Sequence, residues 1–238
     1  MSKYSWKAIA WRDLWLIPIL FVTTLFFGFT VSLAIMLLFG INKDEFFNDI
    51  YIDVSEVISS ILAYLTVIMS FYLLHRKEMK QRFRRSVQGV KQYGLWIVGT
   101  YIVTLILLYG YNYVFHFIPE RYQYDTTQNE LALDALMDIP ALLPFNFLLI
   151  VIIGPILEEI FFRHLLIGEL GKKLNFNVMA VVSVILFAAI HVTGAASPFE
   201  IVDYLIISIP LVFLYMKSGR NLGVSIAFHM LNNLISFF

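Results

Sequence analysis

Apolar runs broken by short polar stretches recur along the whole chain. Windows of about 17–25 apolar residues fit membrane-spanning helices, and seven such runs fall at roughly 14–39, 57–74, 94–115, 141–167, 176–193, 201–216 and 222–237. The pattern predicts an all-α fold, a polytopic membrane helical bundle of about seven transmembrane helices. The first run is longer than the apolar core of a signal peptide, and its small residues Ser32 and Ala34 sit inside it. It is therefore read as a retained helix. One run is interrupted: GPILEEIFFRHLL (154–166) sets Glu158, Glu159 and Arg163 inside the fourth span. At a bilayer centre each such charge costs about 2.5–3.5 kcal/mol on insertion scales.

Composition agrees with the pattern, since 60% of the residues are hydrophobic and 14% charged, a balance no soluble core absorbs. No internal repeat or long linker divides the chain, so 1–238 reads as a single membrane domain. Charge then orients it. Of the 17 basic residues, 14 fall in the N-terminal stretch (Lys3, Lys7, Arg12), at 75–93, and at Lys172, Lys173, Lys217 and Arg220. The alternate loops hold Lys43 and Arg121 and are rich in acids, among them Asp44, Glu45, Asp49, Asp125, Asp134 and Glu200. The positive-inside rule then puts the N-terminus in the cytoplasm and the C-terminus outside, in a multi-pass protein of the plasma membrane. Cysteine is absent, which excludes disulfides and thiol nucleophiles.

In the basic stretch HRKEMKQRFRRSVQGVK (75–91), Met79, Phe83, Val87 and Val90 recur at helical spacing. Either a helix lying on an anionic inner leaflet or a loop that fixes topology accounts for this. Without a soluble domain to present it, neither is a nucleic-acid site.

The chemistry gathers in three spans. Glu159 and Arg163 are four apart, share a helix face and pair. Glu158 points about 100° away and stays available. Gly154 and Pro155 favour a kink, after which Glu158 would fall in the first turn of a new half-helix. The fifth span holds FAAIH (Phe187, His191) and the seventh HMLNN (His229, Asn233). Counted at about 1.5 Å per residue, Glu158, His191 and His229 all fall near the middle third of the membrane. Each alone has a plainer reading: Glu159–Arg163 as a packing ion pair, His191 or His229 as interhelical glue, Phe187 as core or as a support for the His191 ring.

Together, EEIFFR (158–163), FAAIH (187–191) and HMLNN (229–233) resemble the EExxxR, FxxxH and HxxxN motifs of the CAAX-protease and bacteriocin-processing (CPBP, or Abi) family of intramembrane endopeptidases. The resemblance covers about 141–237, read as the catalytic core, with TTQNE (126–130) as its lead-in. It implies hydrolysis of membrane-associated peptides or proteins by an activated water. Glu158 would be the general base with His191 helping, His229 and Asn233 the oxyanion donors, Glu159 and Arg163 the support. Short loops resemble the bacterial branch, tied to peptide maturation and bacteriocin immunity. Entry is expected from the cytoplasm or laterally from lipid.

Alternatives stay open. Glu158, His191 and His229 would supply a His2Glu zinc set, but no HExxH accompanies them, so no cofactor is favoured and zinc is the alternative. Gly223-Val224-Ser225-Ile226-Ala227 lacks the second glycine of a serine-protease motif. A transporter would commonly show an inverted repeat, and none is seen. A non-catalytic scaffold, immunity or regulatory protein that binds peptides or membrane partners remains the second functional class.

Overall fold

The computed structural model describes residues 5–47 and 50–237; Lys3 and Asp49, used above in the charge reading, lie outside them. Among the described residues, besides short 3-10 turns, nine helices follow in chain order: α1 (Leu16–Phe39), α2 (Lys43–Phe47), α3 (Tyr51–His75), α4 (Met79–Phe115), α5 (Gln128–Met137), α6 (Pro140–Leu174), α7 (Phe176–His191), α8 (Glu200–Lys217) and α9 (Leu222–Ser236). Seven of them overlie the predicted apolar runs. α1, α3, α4 and α6 are long and apolar enough to cross a bilayer, while α7 and α9 are shorter apolar helices. Helices α2 and α5 are the short additions, both at the end that bears the acidic loops.

The packing is inside-out relative to a soluble protein. Phe21, Phe29, Leu37, Leu38 and Leu95 face outward, whereas Thr104, Asn146, Glu159, Arg163, Ser183, Ser208, Ser225 and His229 are buried. Lipid takes the place of water on the outer faces, so polar groups must find partners within the bundle. α1 packs along α3; α7 and α9 pack against α6, while α4 packs on α8 and α9 and α8 on α7 and α9. Between them Ile97, Tyr101, Phe187, Leu211, Leu214, Val224 and Phe228 form one apolar core.

Two local expectations differ from the structure. The basic stretch is neither a loop nor a separate helix: α4 runs unbroken from Met79 to Phe115, 37 residues or about 55 Å. Its basic first turns are held against the start of α9. Arg85 donates to Gly219 O (2.9 Å), Asn221 Nδ2 donates to Arg85 O (2.9 Å), and a side chain at Gly223 would strike Ser86.

The fourth span also does not break at Gly154-Pro155. It widens instead, as π-helix over Leu148–Ile153 and Ile160–Leu170, with an α-helical segment at Gly154–Glu159 between. Glu158 therefore sits inside a continuous helix rather than in a first turn, and no exposed helix end stabilises it. The π register has a chemical cause. Gly154 N–H bonds Leu149 O five residues back, and the next carbonyl, Ile150 O, would need the N–H of residue 155. That residue is proline and has none.

Candidate active site

The gap at Pro155 is filled from α9: Asn233 Nδ2 donates to Ile150 O at 2.9 Å. A side-chain amide thus supplies the donor the proline lacks, as π-widened helices often require. Asn233, expected beside His229 as an oxyanion donor, spends an amide hydrogen on docking α9 to α6. Docking brings His229, one turn earlier on α9, against the two glutamates.

Glu159 is fully buried. Its Oε2 lies 3.2 Å from Arg163 Nε, and its Oε1 3.0 Å from His229 Nδ1. Arg163 is equally buried, stacked over the Phe187 ring at 4.8 Å, with no other carboxylate in salt-bridge range among the described residues. The predicted i, i+4 pair is present, and one carboxylate is committed to it.

Glu158 is the opposite case. Its Oε2 accepts no hydrogen bond among the described residues and stands 3.9 Å from His191 Nε2 and 3.7 Å from His229 Nε2. His191 fixes its ring through Nδ1, 2.7 Å from Phe187 O. Nδ1–H donates to that carbonyl, which leaves Nε2 turned toward Glu158. Phe187 packs under both imidazoles, with centroids 4.6 Å from His191 and 5.6 Å from His229. All seven residues singled out in the sequence therefore meet.

Other contributors carried no motif. Tyr204 stacks on the far face of His191 (4.9 Å, 24°), and its hydroxyl pairs with Thr127 Oγ1 at 2.9 Å. Glu200, buried at the start of α8, accepts from the backbone N–H of Gln128 (2.8 Å), Ala196 (2.8 Å) and Ser197 (3.0 Å). It thereby ties the 126–130 segment to the site. The available signal was the spacing of Glu200 and Tyr204, four apart at the head of an apolar run.

The site is the floor of a cavity of about 970 Å³. Its walls are the acidic-loop ends of α3, α4, α6, α7, α8 and α9 together with the 124–137 segment. The cavity lies toward the end opposite the basic loops, whereas entry was expected from the cytoplasm or laterally from lipid. Asp53, Glu56, Asp125, Glu130, Asp134 and Asp203 line it, with no lysine or arginine among the lining residues. Burial first, then Asp134 and Asp203, raises the Glu130 carboxyl above its ordinary range. Burial and the hydrogen bond to Asp203 (2.5 Å) likewise raise the Tyr124 phenol, which stays a donor.

As a zinc set, Glu158, His191 and His229 stand somewhat wide. Two ligands on one tetrahedral zinc lie about 3.4 Å apart, against 3.7 and 3.9 Å here. The three-ligand group whose donor atoms all lie within 4.8 Å of one another is elsewhere, at Asp13, His75 and His164.

Buried polar groups, a carboxylate oxygen without a hydrogen bond between two imidazoles and a cavity reaching it make a candidate hydrolytic site inside a membrane helical bundle. Residues 140–235 match the family model described as type II CAAX prenyl endopeptidase Rce1-like. The chain is also 25% identical over 218 residues, 89% of its length and 84% of the relative's, to YdiL of Bacillus subtilis (strain 168), whose name marks it as a candidate membrane peptidase. No solved structure matches it. Both matches support a protease in a multi-pass protein of a bacterial membrane.

Proposed function

We propose that the chain is an intramembrane endopeptidase that attacks the peptide bond with a water held between Glu158 and His191. One observation carries the reading: of two adjacent carboxylates, Glu159 is locked to Arg163 and His229, and Glu158 is left at the cavity floor facing two Nε2 atoms. The water gives its proton to the Glu158–His191 pair while its oxygen bonds the carbonyl carbon. The resulting oxyanion is met by His229. When the C–N bond breaks, the stored proton passes to the leaving amine.

His229 can donate at Nε2 while bonding Glu159 through Nδ1 only as an imidazolium. That state balances the cluster: two carboxylates, Arg163 and one imidazolium sum to zero, the favoured condition for charges removed from water. Asn233 is then a positioning residue through Ile150. No metal is required by these steps, and their spacing suits a bridging water: a water hydrogen-bonded to both groups spans separations of this order.

The positive-inside assignment puts the cavity mouth on the outer face. The substrate proposed is therefore a membrane-associated or secreted peptide, such as a leader or bacteriocin-type precursor, presented from that side, rather than a prenylated C-terminus displayed in the cytoplasm. The acid-lined walls favour basic residues near the scissile bond.

The test is cleavage of a fluorogenic membrane-peptide library by purified protein in nanodiscs, for wild type, Glu158→Gln and His229→Ala. Loss of cleavage in both variants, with folding intact, is expected. Full cleavage by Glu158→Gln would refute the mechanism. No cleavage by wild type of any peptide, prenylated peptides included, would favour a binding scaffold.

A further inference from the structure

A second cluster of ionisable side chains lies on the other side of α6, toward the basic end. Asp13 sits in the turn Trp11–Trp15 ahead of α1, His75 closes α3, and His164 follows Arg163 in the π-helical part of α6. All three are buried, Asp13 completely. Asp13 Oδ2 lies 3.0 Å from His75 Nε2 and 2.8 Å from His164 Nε2. Leu16, Val67, Phe71, Leu157, Ile160 and Leu165 form the apolar cluster at these helices, and the Phe71 ring packs against both imidazoles. Nothing in the proteolytic reading uses this group.

As hydrogen bonding alone the arrangement is inefficient. Two imidazoles converge on one carboxylate oxygen, while the other oxygen, Oδ1, is buried and accepts no hydrogen bond among the described residues. Buried carboxylates normally have both oxygens satisfied. The nearest cation is Arg12, whose Nε stands 3.5 Å from Oδ1 and whose Nη2 stands 3.5 Å from His75 Nδ1; its side chain is 54% exposed and can turn into solvent.

As a ligand set the same atoms make chemical sense. Two imidazole nitrogens and a carboxylate oxygen from three separate segments, all within 4.8 Å, are what a borderline divalent ion takes. Zinc would hold them at about 2.0–2.2 Å, with neighbouring ligand atoms about 3.4 Å apart. The pairs at 2.8 and 3.0 Å therefore need to open by about half an ångström. Asp13 Oδ1 or a solvent molecule completes the shell.

We propose that Asp13, His75 and His164 form a structural site for a divalent transition metal of the zinc class. It would clamp the N-terminal segment to α3 and α6 beside Arg163. The segment is already tied nearby, since Ala10 N–H donates to Glu169 Oε2 at 2.7 Å. Because Arg163 holds Glu159, loosening the clamp reaches the catalytic cluster through α6. Chelator-sensitive proteolysis would then arise without any metal at Glu158.

The experiment uses the full chain in detergent, stripped with chelator, re-equilibrated with Zn2+ and desalted. One zinc per chain is expected in wild type and in Glu158→Gln. One is also expected in the His191→Ala/His229→Ala double variant, which removes both active-site imidazoles, and X-ray absorption there should still show imidazole ligands. Asp13→Asn and His164→Ala should each lose the ion. Zn2+ in hundredfold excess over Kd should raise the thermal midpoint of wild type by about 5–10 °C. These readouts are independent of cleavage, so failure of the proteolytic reading would leave them standing. Wild type that retains no zinc and shows no midpoint shift overturns the proposal. So does zinc lost from the double variant, or zinc kept by Asp13→Asn and His164→Ala. If those two site variants do not fold, the double variant and the wild-type midpoint decide.

Discussion

Removing the charge of Glu159 should damage the fold, whereas removing that of its neighbour Glu158 should damage only catalysis. Glu159→Gln leaves Arg163, fully buried and with no other carboxylate in range among the described residues, as an uncompensated cation. Breaking one side of a buried pair costs about 3–5 kcal/mol. For a chain of this size about 2–4 °C of midpoint corresponds to each kcal/mol, so a fall of about 6–20 °C is expected in detergent. Glu158, whose side chain is 27% exposed and whose Oε2 accepts no hydrogen bond, should change stability by no more than about 0.5 kcal/mol on substitution by Gln. A third variant separates charge from packing. Glu159→Gln with Arg163→Met removes both members, and replacing a whole buried pair by apolar volume is often neutral or better. It should recover most of the midpoint and none of the activity, because His229 still lacks the carboxylate that orients Nδ1. The assay is a thermal scan of the four proteins beside a cleavage assay. A midpoint for Glu159→Gln no lower than for Glu158→Gln, or a double variant no more stable than the single, would refute the account.

Asn233→Leu leaves Ile150 O without a donor and should cost about 1–3 kcal/mol, with kcat falling more than KM rises because His229 shifts. Kinetics and a thermal scan check both. At Gly154 an added Cβ would stand 2.9 Å from Leu149 O, so Gly154→Ala should destabilise by about 1–3 kcal/mol by the same scan. Peptides carrying Lys or Arg near the cleaved bond should show lower KM than Asp or Glu counterparts, by a ratio that shrinks as salt rises; equal KM values would remove the acidic walls from the specificity argument. The raised Glu130 carboxyl keeps its proton to higher pH in the folded state than in the unfolded chain. Its contribution is therefore present below the ordinary carboxylate range and lost as pH rises through the raised value. Glu130→Gln should raise the midpoint above that window and leave it unchanged below, as scans at several pH values would show.

The spans and the site were legible because both are periodic. Apolar runs of bilayer length leave little choice of fold, and pairs spaced i, i+4 on α6, α7 and α9 announce shared faces. What the sequence hid was non-local. Pro155 looked like a break because the donor that replaces its missing N–H, Asn233, lies some 80 residues on. Helix depth alone does not say toward which end the cavity lies; that depends on how the 124–137 segment packs. Tyr204 and Glu200 act through partners in another segment, Thr127 and Gln128. The Asp13–His75–His164 group escaped notice for the same reason. Its members are separated by 62 and 151 residues from Asp13 and form no local spacing at all.

Glu158, Glu159 and Arg163, the charges in the middle of α6, have different justifications. In isolation each would cost about 2.5–3.5 kcal/mol at the bilayer centre. Arg163 and Glu159 offset one another, and His229 satisfies the remaining carboxylate oxygen, so this pair could serve packing alone. Glu158 has no such return: its Oε2 meets the imidazoles only at 3.7–3.9 Å, beyond direct hydrogen bonding. A carboxylate held in place by a neighbour's ion pair, yet making no hydrogen bond through Oε2, contributes little to stability. Its position is explained only by something that arrives in the gap, and a gap of that width beside two imidazoles fits a water molecule and the carbonyl it attacks. The stability experiment on Glu158 and Glu159 is therefore also a test of function, since it asks which carboxylate the fold could do without.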